Sequence, residues 1–356
     1  MEARTCSQGP VVIPACAEFF SALRQFKKVF AACALLLAAL LPAVASAQVP
    51  VITEFFGFPV PGTGIYPDGR APTYPVIQAS DGNFYGTTPT GGNDGIACAT
   101  DCVGTVFKLT PDGQATVLYH FAYGSSSAPY ANGSTPEGGL VEGPDGYLYG
   151  TTYAGGFPHQ RGIVYKISKS GAFQKLHDFC ETDCSDGENP KGSLVLGSDG
   201  NFYGTTWRNG TIFRISPSGD VFTTLVNFSK ESKVGVTPSY GLVQASDGNF
   251  YGVTTEGVYQ MTPTGGFTGL YELGSSVSDG LGTVGPLIQA TDGNLYGVTF
   301  EGGVNGVGTV FKIGLAGGFQ KILDLVQASE GRHPSALLQA TDGNLWGTTS
   351  NAGDAN

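Results

Sequence analysis

The sequence predicts an all-β fold, namely a β-propeller of four-stranded blades with six visible repeats and an incomplete last blade. Three observations predict it: the composition, a recurring short motif, and four strand-like segments around each copy of that motif. The chain of 356 residues contains 55 glycines, 21 prolines and 2 methionines, and 13% of its residues are charged. Such a composition favours many short strands joined by turns over helices. The hydrophobic fraction of 41% is enough to form a substantial core.

The recurring motif has the form Asp-Gly-Asn-Phe-Tyr-Gly, with Tyr, Leu or Trp replacing some of these residues in individual copies. The six copies begin at Asp81, Asp145, Asp199, Asp247, Asp292 and Asp342. Neighbouring copies lie 45 to 64 residues apart, close to the roughly 40–50 residues of a propeller blade. Because the aspartate recurs in every repeat, we interpret it as a turn residue rather than a catalytic one.

Each repeat divides into four strands, which we name a, b, c and d in chain order. Strand a is an apolar run, as in residues 241–245, and the Asp-Gly pair of the motif forms the turn to strand b. Strand b follows directly, as in residues 84–88, and strand c alternates apolar and polar residues, as in residues 105–109. A second glycine-containing turn leads to strand d, as in residues 174–179.

The N-terminal region has the order of a secretory signal. Basic residues at 24, 27 and 28 precede an apolar run over residues 29–41, and Ala45 and Ala47 occupy the small-residue positions of a cleavage site. The run is shorter than the roughly 20 residues that a membrane-spanning helix needs. We therefore predict a signal peptide region over residues 1–47, cleavage between Ala47 and Gln48, and a propeller repeat domain over residues 48–356. The mature protein is expected to be extracellular, at the cell surface or in the periplasm.

The charge narrows the classes of partner. The whole chain carries a net charge of −11, and residues 1–47 contribute four basic and two acidic residues, so the mature chain is near −13. A surface this acidic repels nucleic acid and anionic lipid. Cations, carbohydrates and basic proteins remain as candidate partners, and we expect a monomer without a membrane span.

Four cysteines remain after residue 47, in two similar local pairs. The pairs are Cys98 with Cys102 and Cys180 with Cys184. In an exported protein such pairs predict two short-range disulfides. A zinc site is the alternative, but the spacing differs from that of common zinc motifs and no histidine lies close in sequence to either pair.

The two ends of the chain bear on how the ring closes. Residues 51–55 have the pattern of a strand d, and the sequence stops at Asn356, just after a strand b. We expect the N-terminal strand to lie beside the last blade, with Phe55 buried, because closure removes exposed strand edges. The missing strand c in that blade also predicts that the intact protein is longer.

The repeats resemble the tandem repeat called GloVer, which occurs in bacterial exported proteins with varied anchors. The resemblance covers about residues 50–350 and rests on the recurring motif, the Gly-Thr-Val-Phe-Lys of strand c and the following glycine turn. It implies an exported protein, often held at the surface by a C-terminal segment, with no established biochemical activity. A weaker resemblance to virginiamycin B lyase-like propellers implies a catalytic histidine and metal ligands near the channel, for which His159 and His333 are the candidates by position.

In a propeller, the a–b and c–d turns lie on one face and the b–c and d–a loops on the other. The second set varies in length here, so the b–c/d–a face is the candidate binding surface. An acidic pattern recurs in the d–a loops at Asp68, Asn132, Asp186, Asp279 and Glu330. A ring of these residues would hold a hard cation such as Ca²⁺, whereas the simpler interpretation is a turn before each strand a.

Two function classes remain open. Four histidines are present, and they lie in different repeat contexts without an apparent catalytic arrangement. We therefore favour a noncatalytic binding or scaffold module with an extracellular ligand or protein partner, carbohydrate among them, and no firm cofactor. The alternative is a carbohydrate- or lactone-active propeller enzyme. Polar groups with shifted pKa values converging at the channel mouth would favour the enzyme.

Overall fold

The computed structural model describes residues 69, 72–92, 103–122, 124–125, 127–228, 234–238, 240–274, 276–326 and 331–351. These residues form antiparallel sheets that follow one another along the chain, together with one short 3-10 helix, η1 (Val277–Asp279). In the described part of the chain, no helix is long and apolar enough to cross a membrane. The all-β prediction is confirmed.

Each sheet is one blade, and its strands pair in chain order. Blade 1 contains β1 (Ile77–Gln78), β2 (Phe84–Thr88), β3 (Thr105–Leu109) and β4 (Ala115–His120). Blade 2 contains β5 (Val141–Glu142), β6 (Leu148–Thr152), β7 (Ile163–Ile167) and β8 (Phe173–Asp178). Blade 3 contains β10 (Val195–Leu196), β11 (Phe202–Arg208), β12 (Thr211–Ile215) and β13 (Phe222–Asn227), with the extra strand β9 (Glu188–Pro190) beside β11.

The remaining blades follow the same order. Blade 4 contains β14 (Val243–Gln244), β15 (Phe250–Thr254), β16 (Gly257–Met261) and β17 (Phe267–Glu272). Blade 5 contains β18 (Leu281–Gln289), β19 (Leu295–Glu301), β20 (Thr309–Gly314) and β21 (Gly317–Asp324). Blade 6 contains β22 (Arg332–Gln339) and β23 (Leu345–Asn351). The prediction of an incomplete last blade agrees with this two-stranded sheet, whereas the predicted strand over residues 51–55 lies outside the described residues.

The motif aspartate stabilises the a–b turn and binds the motif tyrosine. In blade 1, Gly82 adopts φ +80° and donates its N–H to the carbonyl of Ala79 at 2.9 Å. Asp81 accepts hydrogen bonds from the backbone of Asn83 at 3.2 Å and from the Tyr85 hydroxyl at 2.7 Å. Equivalent tyrosine–aspartate bonds join Tyr149 to Asp145, Tyr203 to Asp199, Tyr251 to Asp247 and Tyr296 to Asp292. The predicted turn role of the aspartate is therefore accompanied by a second role as acceptor for a largely buried phenol.

The hydrophobic core lies between blades rather than within them. Each of the four buried clusters draws residues from two successive blades, beginning with blades 1 and 2 and ending with blades 4 and 5. Aromatic rings stack across the same boundaries, for example Tyr149 on Phe202 with centroids 3.9 Å apart and Tyr203 on Phe250 with centroids 4.0 Å apart. A single sheet has two apolar faces that only its neighbours can cover.

On the b–c/d–a face, adjacent blades meet through a glycine and a proline. The glycine precedes strand c, and the proline belongs to the d–a loop of the next blade. The pairs are Gly104 with Pro136, Gly162 with Pro190, Gly210 with Pro238 and Gly308 with Pro334. A Cβ at Gly162 would lie 2.5 Å from Pro190 Cδ, so no side chain fits there. The residue before the proline donates its N–H to the preceding blade, as Asn189 does to Arg161 O at 2.7 Å.

On the a–b/c–d face, a side chain of strand a links one blade to the previous blade. Its oxygen accepts a hydrogen bond from the backbone N–H of the residue just before the motif aspartate of the previous blade. The acceptor–donor pairs are Glu142 with Ser80, Gln244 with Ser198, Gln289 with Ser246 and Gln339 with Thr291. The boundary between blades 2 and 3 differs at both positions. Pro144 has no N–H to donate, and Leu196 stands where the other blades have Glu or Gln. The donor and the acceptor of this hydrogen bond are thus both absent at the boundary between blades 2 and 3.

Candidate functional site

The b–c connections divide the blades into two groups on the b–c/d–a face. In blade 2, residues 153–162 separate β6 from β7, whereas in blade 3 only Asn209 and Gly210 separate β11 from β12. Blade 4 also has a two-residue connection, between β15 and β16. Because the connections of blades 3 and 4 are short, they project less far from the sheets than the neighbouring loop of blade 2, and we call this the low part of the face.

A cleft of about 570 Å³ occupies this low part of the face. Residues from blades 2 and 3 and from the d–a loops that enter blades 3 and 4 line it. They are Arg161, Glu188, Trp207, Arg208, Asn209, Gly210, Val236 and Thr237. We call it the Trp207 cleft. It presents an indole, two guanidinium groups, a carboxylate, an amide and a hydroxyl to one space, a combination suited to a polar ligand with an apolar face.

Glu188 is fixed at the wall of the Trp207 cleft by two partners. Arg161 Nε lies 3.0 Å from one carboxylate oxygen, and Asn209 Nδ2 donates to the other at 2.8 Å. Strand β9 holds Glu188 opposite Arg208 of β11 in the sheet. The Glu188 side chain is 14% exposed and that of Arg161 is 40% exposed. The carboxylate is therefore positioned by its neighbours, while the arginine still reaches solvent.

The indole of Trp207 has two cations and a tyrosine beside it at the wall of the cleft. The Arg208 guanidinium carbon lies 5.5 Å from the centroid of the indole, and Lys191 Nζ lies 6.0 Å from it. Tyr153 of blade 2 approaches the same indole, with ring centroids 6.3 Å apart. Cations at these distances are attracted to an aromatic face and orient the indole at the cleft wall.

A second polar group lies near the axis, at the start of the strands a. It consists of Tyr74, Glu137, Lys191 and Tyr240, which we call the axial cluster. Lys191 Nζ lies 4.0 Å from Glu137 Oε2. Burial raises the pKa of the Glu137 carboxyl, and the nearby ammonium of Lys191 only partly opposes this. Burial also raises the pKa of Tyr74, with further contributions from the charges of Glu137 and Tyr240.

The described members of the recurring d–a loop pattern each have a local partner. Asn132 hydrogen-bonds Tyr119, Asp186 Oδ2 lies 2.9 Å from His177 Nε2, and Asp279 Oδ2 accepts the Tyr271 hydroxyl at 2.6 Å. Each partner belongs to strand d of the same blade, the strand farthest from strand a in the sheet order. Asp68 and Glu330 lie outside the described residues. The three described members thus have the contacts expected of turn residues.

The disulfide prediction is confirmed for one pair. Cys180 and Cys184 are joined by a disulfide in the d–a loop after β8, and Cys98 and Cys102 lie outside the described residues. Among the residues with described positions, the one group of three metal-type ligands within 4.8 Å of one another is Cys180, Cys184 and Glu188. Since both sulfurs are bonded to each other, they are not thiolate ligands in this form.

The histidines do not converge in the described structure. His177 stacks on Phe222 with centroids 3.8 Å apart, in addition to its contact with Asp186. His333 stacks on Phe300 with centroids 4.1 Å apart and contacts Asn351. His159 is exposed in the b–c loop of blade 2. The two histidines that were candidates for a lyase-type site thus belong to separate blades, 2 and 6.

The fold and these features define a β-propeller with a candidate ligand-binding cleft on its b–c/d–a face. A family model described as the Gloeobacter/Verrucomicrobia repeat matches residues 61–258 and 208–356, and the chain belongs to this family. The resemblance inferred from the motif is therefore confirmed. No protein of curated function matches the sequence.

Solved structures support the fold. A streptogramin B lyase aligns with a TM-score of 0.54 at 19% identity, over 77% of this chain and 75% of that chain. A catalytically inactive virginiamycin B lyase from Staphylococcus aureus with quinupristin aligns with a TM-score of 0.54 at 17% identity, over 78% and 77%. A protein provisionally named 6-phosphogluconolactonase, from Bacteroides uniformis, aligns with a TM-score of 0.53 at 16% identity, over 78% of each. At these identities the likeness concerns the fold alone.

Proposed function

We propose that this protein is an exported, noncatalytic binding module that holds an extracellular carbohydrate in the Trp207 cleft. The observation that carries the proposal is the combination in that cleft of an indole with hydrogen-bonding groups held in place by one another. An indole offers a flat apolar face of the kind that a sugar ring presents on its C–H side. Glu188, Asn209 and the two arginines supply acceptors and donors for hydroxyl groups.

Further support comes from the exposed apolar side chains. Phe157 and Val304 are exposed in the b–c loops of blades 2 and 5, Phe300 is exposed near the end of β19, and Val236 is exposed at the cleft. Apolar side chains exposed on one face favour binding at that face. They also extend the surface available to a long ligand beyond the cleft itself.

Binding can be tested with Trp207→Ala, measured by titration calorimetry against a panel of bacterial and plant oligosaccharides. We expect the variant to lose at least about tenfold in affinity, because a central aromatic contact is typically worth more than about 1 kcal/mol. Tyr147→Ala is the matched control, since Tyr147 is a half-buried aromatic at an a–b turn on the other face. Equal affinity of the two variants, or no saccharide bound by the unaltered protein, would contradict the proposal.

Export is the second part of the proposal and has its own test. The basic, apolar and small-residue order of residues 24–47 supports it. Mass spectrometry of the protein recovered from a bacterial host should find Gln48 as the first residue. A mature chain that retains residues well before Gln48 would contradict signal cleavage at this position.

The axial cluster favours a second candidate function, that of a carbohydrate- or lactone-active enzyme. Glu137 has a raised pKa beside Lys191 and Tyr74, which is the kind of convergence that suits general acid–base chemistry. If the protein hydrolyses a lactone or cleaves a saccharide, Glu137→Gln should lower kcat by about 100-fold or more. Glu188→Gln serves as a control, because Glu188 lies in the Trp207 cleft and not in the axial cluster. Absence of turnover across both substrate classes leaves the binding module as the function.

A further inference from the structure

The charge at the Trp207 cleft has the opposite sign to that of the chain. The protein carries a net charge of −11, and residues 72–351 contain four arginines. These are Arg161, Arg208, Arg214 and Arg332. Two of the four, Arg161 and Arg208, line the same cleft. Glu188 is the one carboxylate among the residues that line it.

Both oxygens of the Glu188 carboxylate already have partners. Glu188 contacts Arg161 Nε through one oxygen and accepts the Asn209 amide through the other. Among the described residues, no carboxylate lies within 4.0 Å of Arg208, which is exposed. Arg161 Nε lies 3.0 Å from Glu188, and the Arg161 side chain is 40% exposed. The cleft therefore contains one guanidinium without an acidic partner and a second that is paired with Glu188 but still reaches solvent.

The position of Arg208 relative to the Trp207 indole narrows the class of ligand that the cleft can bind. Its guanidinium carbon is 5.5 Å from the Trp207 centroid, so a group bound by Arg208 lies next to a ring that stacks on Trp207. Guanidinium groups bind carboxylates, sulfates and phosphates in planar, two-point fashion, and these bonds are stronger than those between neutral groups. A sugar that carries such a group could contact both at once.

From this arrangement we infer that the Trp207 cleft selects an acidic saccharide, whose anionic group binds Arg208 with support from Arg161 while the adjoining sugar ring contacts Trp207. The inference rests on the proposed function, because it names the ligand class for the same cleft. It also explains why two of the few arginines stand together on an acidic protein that would otherwise repel an anionic polymer.

The test compares ligands that differ only in charge. Trigalacturonate and its fully methyl-esterified form share the same sugar rings, and a carrageenan oligosaccharide and its desulfated form provide the sulfate counterpart. We expect at least one acidic form to bind the full chain about tenfold or more tightly than its neutral partner in 50 mM NaCl. The preference should shrink in 500 mM NaCl, because salt screens exposed charges.

Two variants link the preference to the cleft. Arg208→Gln should bring the affinities for acidic and neutral forms to within about twofold, while Arg332→Gln, an exposed arginine of blade 6, should leave the preference unchanged. Equal binding of acidic and neutral forms by the unaltered protein would overturn this inference and leave the proposed function standing. Failure of every saccharide to bind would overturn both. A preference that survives Arg208→Gln would also overturn the inference, since another cation would then be responsible.

Discussion

The two loop faces of this propeller are built from the same blades but follow different rules. On the a–b/c–d face, every motif turn has the same form, and four of the five blade boundaries carry the same side-chain-to-backbone bond. On the b–c/d–a face, a glycine–proline contact at four of the five boundaries stands next to connections that range from two to ten residues or more.

The difference shows where this fold tolerates change. The b–c/d–a face keeps its structural contacts at the base of each loop, so the loop beyond them is free to differ between blades. Blades 3 and 4 use the shortest connections, and the Trp207 cleft lies where they leave room. On the a–b/c–d face, by contrast, every a–b connection has five residues and no described c–d connection has more than six.

The largest expected effect comes from filling the blade boundary on the b–c/d–a face. Gly162→Ala should lower the free energy of unfolding by about 3 kcal/mol, because the new Cβ would meet Pro190 and because Gly162 has φ +102°. Urea unfolding at neutral pH measures the loss. The control is Gly200→Ala in the turn of blade 3, where φ is +81° but no atom lies within 4 Å of the added Cβ. We expect about 1 kcal/mol there, and equal losses would mean that backbone conformation alone matters.

A smaller effect is expected from the motif tyrosines. The Tyr149 hydroxyl donates to Asp145 at 2.7 Å and also lies 3.1 Å from the carbonyl of Pro217 in the next blade. Tyr149→Phe should lower the free energy of unfolding by about 1–2 kcal/mol, because these acceptors then lose a partly buried donor. Tyr147→Phe, two residues earlier in the same turn, removes a hydroxyl from a half-buried ring, is the control and should change little. Thermal unfolding of both variants in parallel distinguishes them.

Acid should gradually remove the stability that the motif aspartates contribute on the a–b/c–d face. Burial tends to raise the pKa of Asp81, but hydrogen bonds from Asn83 and Tyr85 lower it to about 2, and the pKa values of Asp199, Asp247 and Asp292 are lowered as well. A lowered pKa in the folded state means that the contribution is complete above the ordinary value near 4 and is lost as pH falls towards 2. Urea unfolding between pH 6 and pH 2 should show stability falling below about pH 4. A flat profile across that range would contradict the role of the aspartates.

The smallest expected effect concerns the boundary between blades 2 and 3. Pro144→Ser combined with Leu196→Gln should install the bond found at the other boundaries and raise stability by up to about 1 kcal/mol. Leu196→Gln alone should not stabilise, since Pro144 offers no N–H. A double-mutant cycle with favourable coupling between the two positions is the expected result. Additive effects would show that the bond does not form there.

The strands could be predicted from the sequence where the pattern is local. Strands b and c of blade 1 were predicted over residues 84–88 and 105–109, and the structure has β2 and β3 there. Strand a was predicted over residues 241–245 but spans only Val243–Gln244 in β14, since Ala245 already belongs to the a–b turn and accepts the Gly248 N–H. Just before the predicted strand, Tyr240 O accepts a hydrogen bond from Thr205 Oγ1 of blade 3. Contacts between blades are absent from a single repeat's pattern.

The candidate site could be placed on a face but not located from the sequence. The variable loops indicated the b–c/d–a face, whereas the Trp207 cleft depends on Arg161, Glu188 and Trp207, which come from different blades and connections. No short motif joins them. One signal was available and missed: strand c follows strand b after only two residues in the third and fourth repeats, and this shortening marks the low part of the face.

The glycine–proline contact has a consequence for how such chains change over generations. At four of the five boundaries, a glycine before strand c of one repeat meets a proline in the loop that enters the next. Repeat 2 carries both Pro136 and Gly162, and repeat 3 carries both Pro190 and Gly210, so duplicating or excising either repeat as a whole leaves a glycine beside a proline at every new boundary. Unequal recombination between such repeats would alter the number of blades in a single event, while a change of partial length would leave a proline without its glycine.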